Sequence, residues 1–363
     1  MSPLPDSFTV KNEVQELIRK FVGDKKKPAH PLPLTYLEEL EVIWGKRWGA
    51  QSEIGRLREV LVIRPGDEVA PPEKDLVFYQ FEKRVDVRKV KEEFEGFIDA
   101  LKNEGVIVHD IRELVKEVDV DEWMLKEPYG LPHARFGGPG ARDVGFVING
   151  GAIIGRMSLP YRRGEEYITM KALAALGVPV LFMVHGNGIF EGGNVVWLDP
   201  EHVILGKSVR TNQEGIDQVS YILRMNGVKE IYVVPIPGHL YNTEWPAGGF
   251  AHLDCVFGYV DDGLAVIYPP GVPYDFIEYL RSKEINMIEV LPEEARWLAC
   301  NTLALEPGKV VLPQELRKTI RALEKEGVDV ISVPWEETKY LGGGPHCATM
   351  PLIRDSGPRL GET

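Results

Sequence analysis

One unit returns five times along this chain, and it limits the fold more than any single residue does. The unit is a helix-like stretch, a helix-breaking residue and then a short apolar run. It spans Val87 to Gly105 followed by VIVHD, Gly164 to Gly177 followed by VPVLFMV, and Gln213 to Gly227 followed by KEIYVVP. It returns at Pro273 to Lys283 followed by INMIEVLP, and at Pro313 to Gly327 followed by VDVISVPW. Apolar residues in these helices repeat at helical spacing, as in VSYILRM and LRKTIRAL, which marks one buried face. A glycine after a helix suits a left-handed C-terminal cap.

Strand-like stretches precede each helix: LREVLVIRP, VGFVINGGAIIG, VVWLDPEHVILG, CVFGYVDDGLAVIYP and TLALEPGKVVLP. Four of them split around turn residues, namely Asn149-Gly150-Gly151, Asp199-Pro200, Asp261-Asp262-Gly263 and Pro307-Gly308. Such splits predict β-hairpins. The first stretch lacks a second arm, and the C-terminal ATMPLIRD is expected to supply it and close a ring. The fold class is therefore α/β, built from five ββαβ modules. A radial arrangement would hide most strand edges. A two-domain, doubly wound sheet is the alternative, and it fits less well because hairpins alternate with helices throughout.

Residues 1–51 are expected to form an N-terminal extension with one or two helices, interrupted by GDKKKP and by Pro28, Pro31 and Pro33. Residues 52–363 form a single catalytic domain, with an insertion over Leu114 to His133 and a frayed DSGPRLGET tail.

The net charge of −13 counts against nucleic acid or an anionic membrane as the main partner. It serves solubility, and it would also draw in a cationic substrate. The three cysteines, Cys255, Cys300 and Cys347, form neither a disulfide framework nor a CxxC zinc pattern. Sparse cysteines, no signal-peptide pattern in MSPLPDSFTVKNEV and no long apolar run point to a cytoplasmic protein that does not span a membrane.

Four segments place small or polar residues against apolar strands: GPGARDVGFVI, FEGGNVVWL, GGFAHLDCVFGYV and LGGGPHCATMPLIRD. They carry Asp143, Glu191, His252, Asp254 and Cys347 at corresponding points of different modules, where a radial fold would bring them together. The set makes chemical sense. A guanidinium has only donors, so binding it out of water calls for carboxylates. Breaking its C–N bond calls for a strong nucleophile, and a thiolate is the strongest a side chain offers. A histidine can protonate the departing amine and then deprotonate water. The glycine run before Cys347 lets the backbone pass close to a ligand. Cys255 and Cys300 read as core residues, and His346 stands beside the nucleophile, where it could tune it.

Together these motifs resemble the amidinotransferase/deiminase superfamily of guanidine-modifying enzymes, and arginine deiminase most closely. SEIGRLREVLVIRPGDE is similar to the first strand of that family, and FEGGN with LGKSVRTNQEG to the segment of its catalytic acid and a substrate-binding arginine. AHLDCVF is similar to the histidine–aspartate strand, and GGGPHCATMPLIRD to the nucleophile segment. The resemblance runs from Ser52 to Asp355 and implies a five-fold pseudosymmetric α/β propeller, the pentein fold. It implies Cys347 as nucleophile, His252 as general acid and base, and Glu191 as its partner in proton transfer. Asp143 and Asp254 would bind the guanidinium, and Arg210, with Arg162 as a second arginine, the substrate carboxylate. Thiolate and imidazolium would coexist at the start, with the bound cation lowering the thiol pKa. No metal or organic cofactor is implied.

The chain departs from the family pattern at Asn194, where an aspartate is usual among the substrate-binding residues, and at His346, where arginine is frequent. It also departs in the GPGA lead-in to Asp143 and in a shorter insertion after the first module. The expected activity is hydrolysis of arginine or a close analogue through a covalent thiouronium intermediate, releasing ammonia and a ureido product. The alternative is an amidinotransferase that passes the amidino group to an amine. A catalytically silent arginine sensor is a third class, disfavoured by the complete set of reactive residues. The expected partner is thus a small guanidino molecule, and a homodimer is left open.

Overall fold

The computed structural model describes residues 7–22, 34–71, 73, 76–116, 140–237 and 250–361. Part of the Leu114–His133 insertion and the Pro28–Pro33 prolines lie outside the described residues. Within them the chain forms five three-stranded sheets.

Four sheets repeat one pattern: a hairpin, then a helix that returns the chain to a third strand parallel to the hairpin's second arm. The first of the four joins β3 (Gly145–Ile148), β4 (Gly151–Ile154) and β5 (Val180–Met183). The next joins β6 (Val195–Asp199), β7 (His202–Lys207) and β8 (Glu230–Pro235). Then come β9 (Phe257–Asp261), β10 (Leu264–Ile267) and β11 (Asn286–Glu289). The last has β12 (Leu303–Glu306), β13 (Lys309–Pro313) and β14 (Asp329–Val333). The remaining sheet is assembled from distant segments. Here β1 (Leu57–Val62) pairs parallel with β2 (Ile107–Asp110) and antiparallel with β15 (Met350–Arg354). The missing arm of the first module is therefore the C-terminal ATMPLIRD segment, as expected.

Local chemistry accounts for the helices. In Val87–Asn103 the residues Val90, Phe94, Phe97, Ile98 and Leu101 form the buried stripe, and Asp86 caps the first turn by accepting from the amides of Arg88 and Lys89. Asn212 caps Gln213–Met225 in the same way, through the amide of Gly215. Gly177, Gly227 and Gly327 follow their helices with φ of 81°, 92° and 88°, the left-handed conformation that glycine adopts without strain. The fourth helix, Tyr274–Ser282, has no glycine at this point, and Glu284 takes the positive φ instead.

Shared cores link the sheets in a closed cycle. Leu61 and Leu352 pack with Val144 and Val147 between the first and second sheets. Phe146 and Ile153 pack with Val195 and Trp197 between the second and third. Val196 and Ile204 join Phe257, Val266, Ala304 and Val310. Leu303, Leu305 and Val311 return to Val60 and Val62 of the first sheet. The helix Tyr36–Ile43, capped by Thr35 and Glu38, docks on this body, and the Tyr36 hydroxyl donates to the Gly150 carbonyl at 3.0 Å. Trp48 and Ala50 already belong to the core between the first two sheets.

Candidate active site

The first strand of each sheet, or β15 in the closing sheet, is entered through a tight turn, and each turn delivers a polar side chain. Asp143 lies in the turn Ala141–Val144 before β3, and Glu191 introduces the turn Gly192–Asn194 before β6. His252 introduces the turn Leu253–Cys255, which carries Asp254, before β9. Cys347 precedes β15, and Asn301 precedes β12. The fifth member, Asn301, escapes a reading of the sequence, although its register ahead of the strand matches the others.

The glycines in these turns make room. A Cβ on Gly193 would sit 2.9 Å from the His252 ring and 3.1 Å from Asp143 Oδ1, and one on Gly192 would run into the Arg142 carbonyl. The run before Cys347 serves an approach that the sequence does not announce. A Cβ on Gly344 would sit 2.7 Å from Asn301 Oδ1, so the close neighbour there is Asn301.

Two half-sites face one another, and all their members are buried. In the first, His252 Nε2 bonds Glu191 Oε2 at 2.9 Å, and its Nδ1 lies 3.6 Å from Asp143 Oδ1. The other Glu191 oxygen accepts from the Ser158 amide and hydroxyl at 2.8 and 2.7 Å. In the second, the Cys347 thiol donates to Asp254 Oδ2 at 3.4 Å and accepts from Asn301 Nδ2 at 3.0 Å. Asn301 Oδ1 accepts from the Cys347 amide at 3.0 Å, so this one side chain grips the nucleophile from two directions. Cys255 Sγ lies 3.6 Å from the other Asp254 oxygen, inside the core, and Cys300 is likewise buried.

Arg210 Nη1 stands 3.8 Å from Glu191 Oε2, while its Nη2 donates to Gln80 Oε1 at 3.1 Å. Arg162 is engaged differently from its expected role. It donates to Asp143 at 2.6 Å, to Glu165 at 2.8 Å and to the Gly140 carbonyl at 3.2 Å, so its donors are spent on the protein. Asn194 is spent as well. Its amide donates to Ser208 Oγ and Thr211 Oγ1, and its oxygen accepts from the Leu253 amide at 2.9 Å. It braces the turn that carries His252 and Asp254. Among the described residues, Asp143 Oδ1 and Arg210 Nη1 are buried with no hydrogen-bond partner. Orphaned groups of opposite sign suit a ligand that has both a cationic and an anionic end.

Charge is distributed unevenly. Burial opposes charge on His252, but Asp143, the Glu191 hydrogen bond and Asp254 outweigh it and raise its pKa. Burial likewise opposes ionisation of Glu191, yet Arg210, His252 and Arg162 hold it well below the usual carboxylate range. Burial also resists charge on Asp254, and His346 outweighs it and lowers the pKa. Burial pushes the Cys347 thiol up, and Asp254 and Asp143 push it further. Charge is thus favoured on His252 and opposed on Cys347, and a bound positive charge would favour the thiolate.

Asp143, Glu191 and His252 bring ligand-type atoms within 4.8 Å of one another, as do His252, Asp254 and Cys255. Arg162 and Arg210 already supply positive charge to the first group, and we assign no ion to either.

The sequence model of arginine deiminase matches residues 140–272 and 272–354, more than half of the 363 residues. A 2-nitroimidazole nitrohydrolase from Mycobacterium sp. (strain JS330) is 29% identical over 343 residues, covering 89% of this chain and 86% of that protein. The uncharacterized protein YkgA of Bacillus subtilis (strain 168) is 28% identical over 305 residues, covering 84% of this chain and 94% of that protein. In three dimensions the chain is similar to SxtG, an amidinotransferase from Microseira wollei in the saxitoxin biosynthetic pathway, with a TM-score of 0.68 at 19% identity. That likeness covers 86% of this chain and 98% of the other, and it shows the fold. With the matched segments spanning the turns of Asp143, Glu191, His252, Asp254 and Cys347, the chain belongs to the arginine deiminase family.

Proposed function

We propose that the chain hydrolyses a C–N bond of a guanidine or amidine, with an arginine-like substrate and Cys347 as nucleophile. The observation that carries this reading is the pairing of a thiol on Asp254 with a histidine on Glu191, around buried carboxylates. A guanidinium between Asp254 and Asp143 replaces lost water contacts with charge-assisted bonds. Its charge offsets the carboxylates that keep the thiol protonated, and the thiol proton leaves through Asp254. Sγ then bonds to the guanidinium carbon. The C–N bond breaks, and His252 gives its proton to the departing nitrogen, which leaves as ammonia. Water gives a proton back to His252 and adds to the carbon. The C–S bond breaks as the added hydroxyl becomes the carbonyl of the ureido product, its proton restores the thiol, and the product leaves. Arg210, whose Nη1 has no hydrogen-bond partner, is the group for a substrate carboxylate. Arg162 holds Asp143 in place.

In this reading residues 52–363 form one catalytic domain, a five-bladed α/β propeller whose blades are the five sheets, and residues 1–51 are an extension. Among the described residues no helix is long and apolar enough to cross a membrane. Three free cysteines fit a reducing cytoplasm.

The test is incubation with L-arginine, with and without glycine or lysine, following ammonia, citrulline and ornithine. Equal ammonia and citrulline without an amine, lost in Cys347→Ala, supports the hydrolase. Ornithine formed only with the amine sinks it in favour of an amidinotransferase. Nitrite from 2-nitroimidazole, with arginine untouched, moves the substrate class to that of the mycobacterial relative.

A further inference from the structure

His346 lies beneath the nucleophile, and no step of the proposed reaction uses it. Its ring is 3% exposed and sits between two carboxylates that are themselves 2% and 1% exposed, Glu53 and Asp254. Nε2 lies 2.6 Å from Glu53 Oε1, and Nδ1 lies 2.8 Å from Asp254 Oδ2. An ionised carboxylate only accepts, and a neutral imidazole has one donor and one acceptor. Both contacts are therefore hydrogen bonds only if the trio carries one proton more than a neutral histidine flanked by two carboxylates. Burial opposes ionisation of Glu53, yet His346, Arg142 and Arg354 bring its pKa down to about 2. Asp254 is lowered too, against burial, by the same imidazole. The ring alone faces both acids, and carrying that proton it donates to each of them. The oxygen that His346 holds, Asp254 Oδ2, is also the one that meets the Cys347 thiol.

We propose that His346 is a charged strut, an imidazolium that pins Asp254 between Glu53 and Cys347 and so sets how firmly the site grips a cationic substrate. This rests on the guanidine reading for the role of Asp254. His346 is a positioning residue and touches no reacting atom. Several other groups face it and share in its balance. Arg142 donates to the His346 carbonyl at 3.4 Å, and Arg354 stands behind Glu53. His252 also acts on Asp254, and Tyr259 and Cys300 line a hollow with His346.

The experiment uses full-length protein labelled with ¹⁵N-histidine, with His346→Gln to identify the signals. Both ring nitrogens of His346 protonated at neutral pH is the expected result, and a neutral tautomer overturns the proposal. Glu53→Gln keeps the ring and Asp254, and the doubly protonated signature should then vanish at a lower pH than in wild type. An unchanged titration overturns the proposal. With the guanidine that the enzyme turns over, His346→Gln raises KM by about tenfold to a hundredfold with a smaller change in kcat. His346→Arg, which keeps two donors and a permanent charge, restores KM. Wild-type KM in His346→Gln overturns the role. If wild type turns over no guanidine, the functional reading falls, while the nitrogen signals still decide the strut.

Discussion

Cys347 and Asn301 show how much one residue's environment decides. Burial and two carboxylates oppose charge on the thiol and push its pKa up. A reagent that brings its own cation should therefore react faster than a neutral one. Chloroacetamidine is expected to label Cys347 well ahead of iodoacetamide at equal concentration. Mass mapping should find Cys255 and Cys300 unlabelled, since both pack into the apolar core, to which Cys347 does not belong. Equal rates for the two reagents would contradict the account. Asn301→Ala removes both grips on the nucleophile and leaves the buried Cys347 amide without its partner. That should lower unfolding free energy by about 1–3 kcal/mol, read from urea denaturation, and slow labelling of Cys347 as well. Loss of stability alone would make Asn301 a packing residue. The grouping of Asp143, Glu191, His252, Asp254 and Cys347 is legible in sequence because each sits in a short turn just before a strand, a local pattern. Glu53, Asn301, Ser158 and Gln80 are not legible, since folding alone brings them to the site. Glu53 and His346 lie 293 positions apart. The family resemblance suggests Arg162 and Asn194 as substrate ligands, and only their folded surroundings reveal that the protein already occupies their donors.

Among elements, the glycines separate folding from chemistry. Gly227 ends its helix at a φ of 92° with nothing within 4 Å of where a methyl would stand, so Gly227→Ala meets only backbone strain. The expected cost is about 1–2 kcal/mol, with turnover unchanged. Gly193 has an ordinary φ, but a methyl there strikes the His252 ring and Asp143. Gly193→Ala should abolish turnover while its urea midpoint stays closer to wild type than its activity does. An active Gly193→Ala enzyme would mean that His252 stands elsewhere during the reaction. Four of the five helix boundaries are readable to within a residue or two because caps and apolar spacing are written locally, whereas the last helix begins at Arg317 and not at Pro313, which ends β13. Closure of the first sheet by ATMPLIRD is also readable, because one hairpin arm is missing from an otherwise regular series. The extension is harder to delimit: Trp48 and Ala50 pack into the core although no repeat marks them.

The molecule as a whole carries a cluster of buried charges, and its stability should track pH accordingly. Against the opposition of burial, Glu53 is brought down to about 2 from an ordinary 4.5, and Glu191 and Asp254 are also lowered. A depressed carboxylate contributes stability that is present above its unfolded value and lost as pH falls through its folded one. His252 is raised against burial, and its contribution has the opposite sign, full below the ordinary histidine value and lost as pH rises. The urea midpoint is therefore expected to hold near neutrality and to fall steadily between about pH 4.5 and 2, less steeply in Glu53→Gln. A flat midpoint across that acid window would show that these ions are not paired as described.

The pairing of β1 with β15 has a consequence in the dimension of time. A ribosome delivers β1 with one edge bare, and residues 63–349 must follow before its antiparallel neighbour arrives. Local hairpins can zip up as they emerge, but this sheet waits. Cys347 lies immediately ahead of the strand that ends the wait, so the thiol reaches its place only when the ring shuts. An interrupted or clipped polypeptide would hold four finished sheets and no reactive centre. Vectorial synthesis thus makes completeness a condition of chemistry, with no separate switch required.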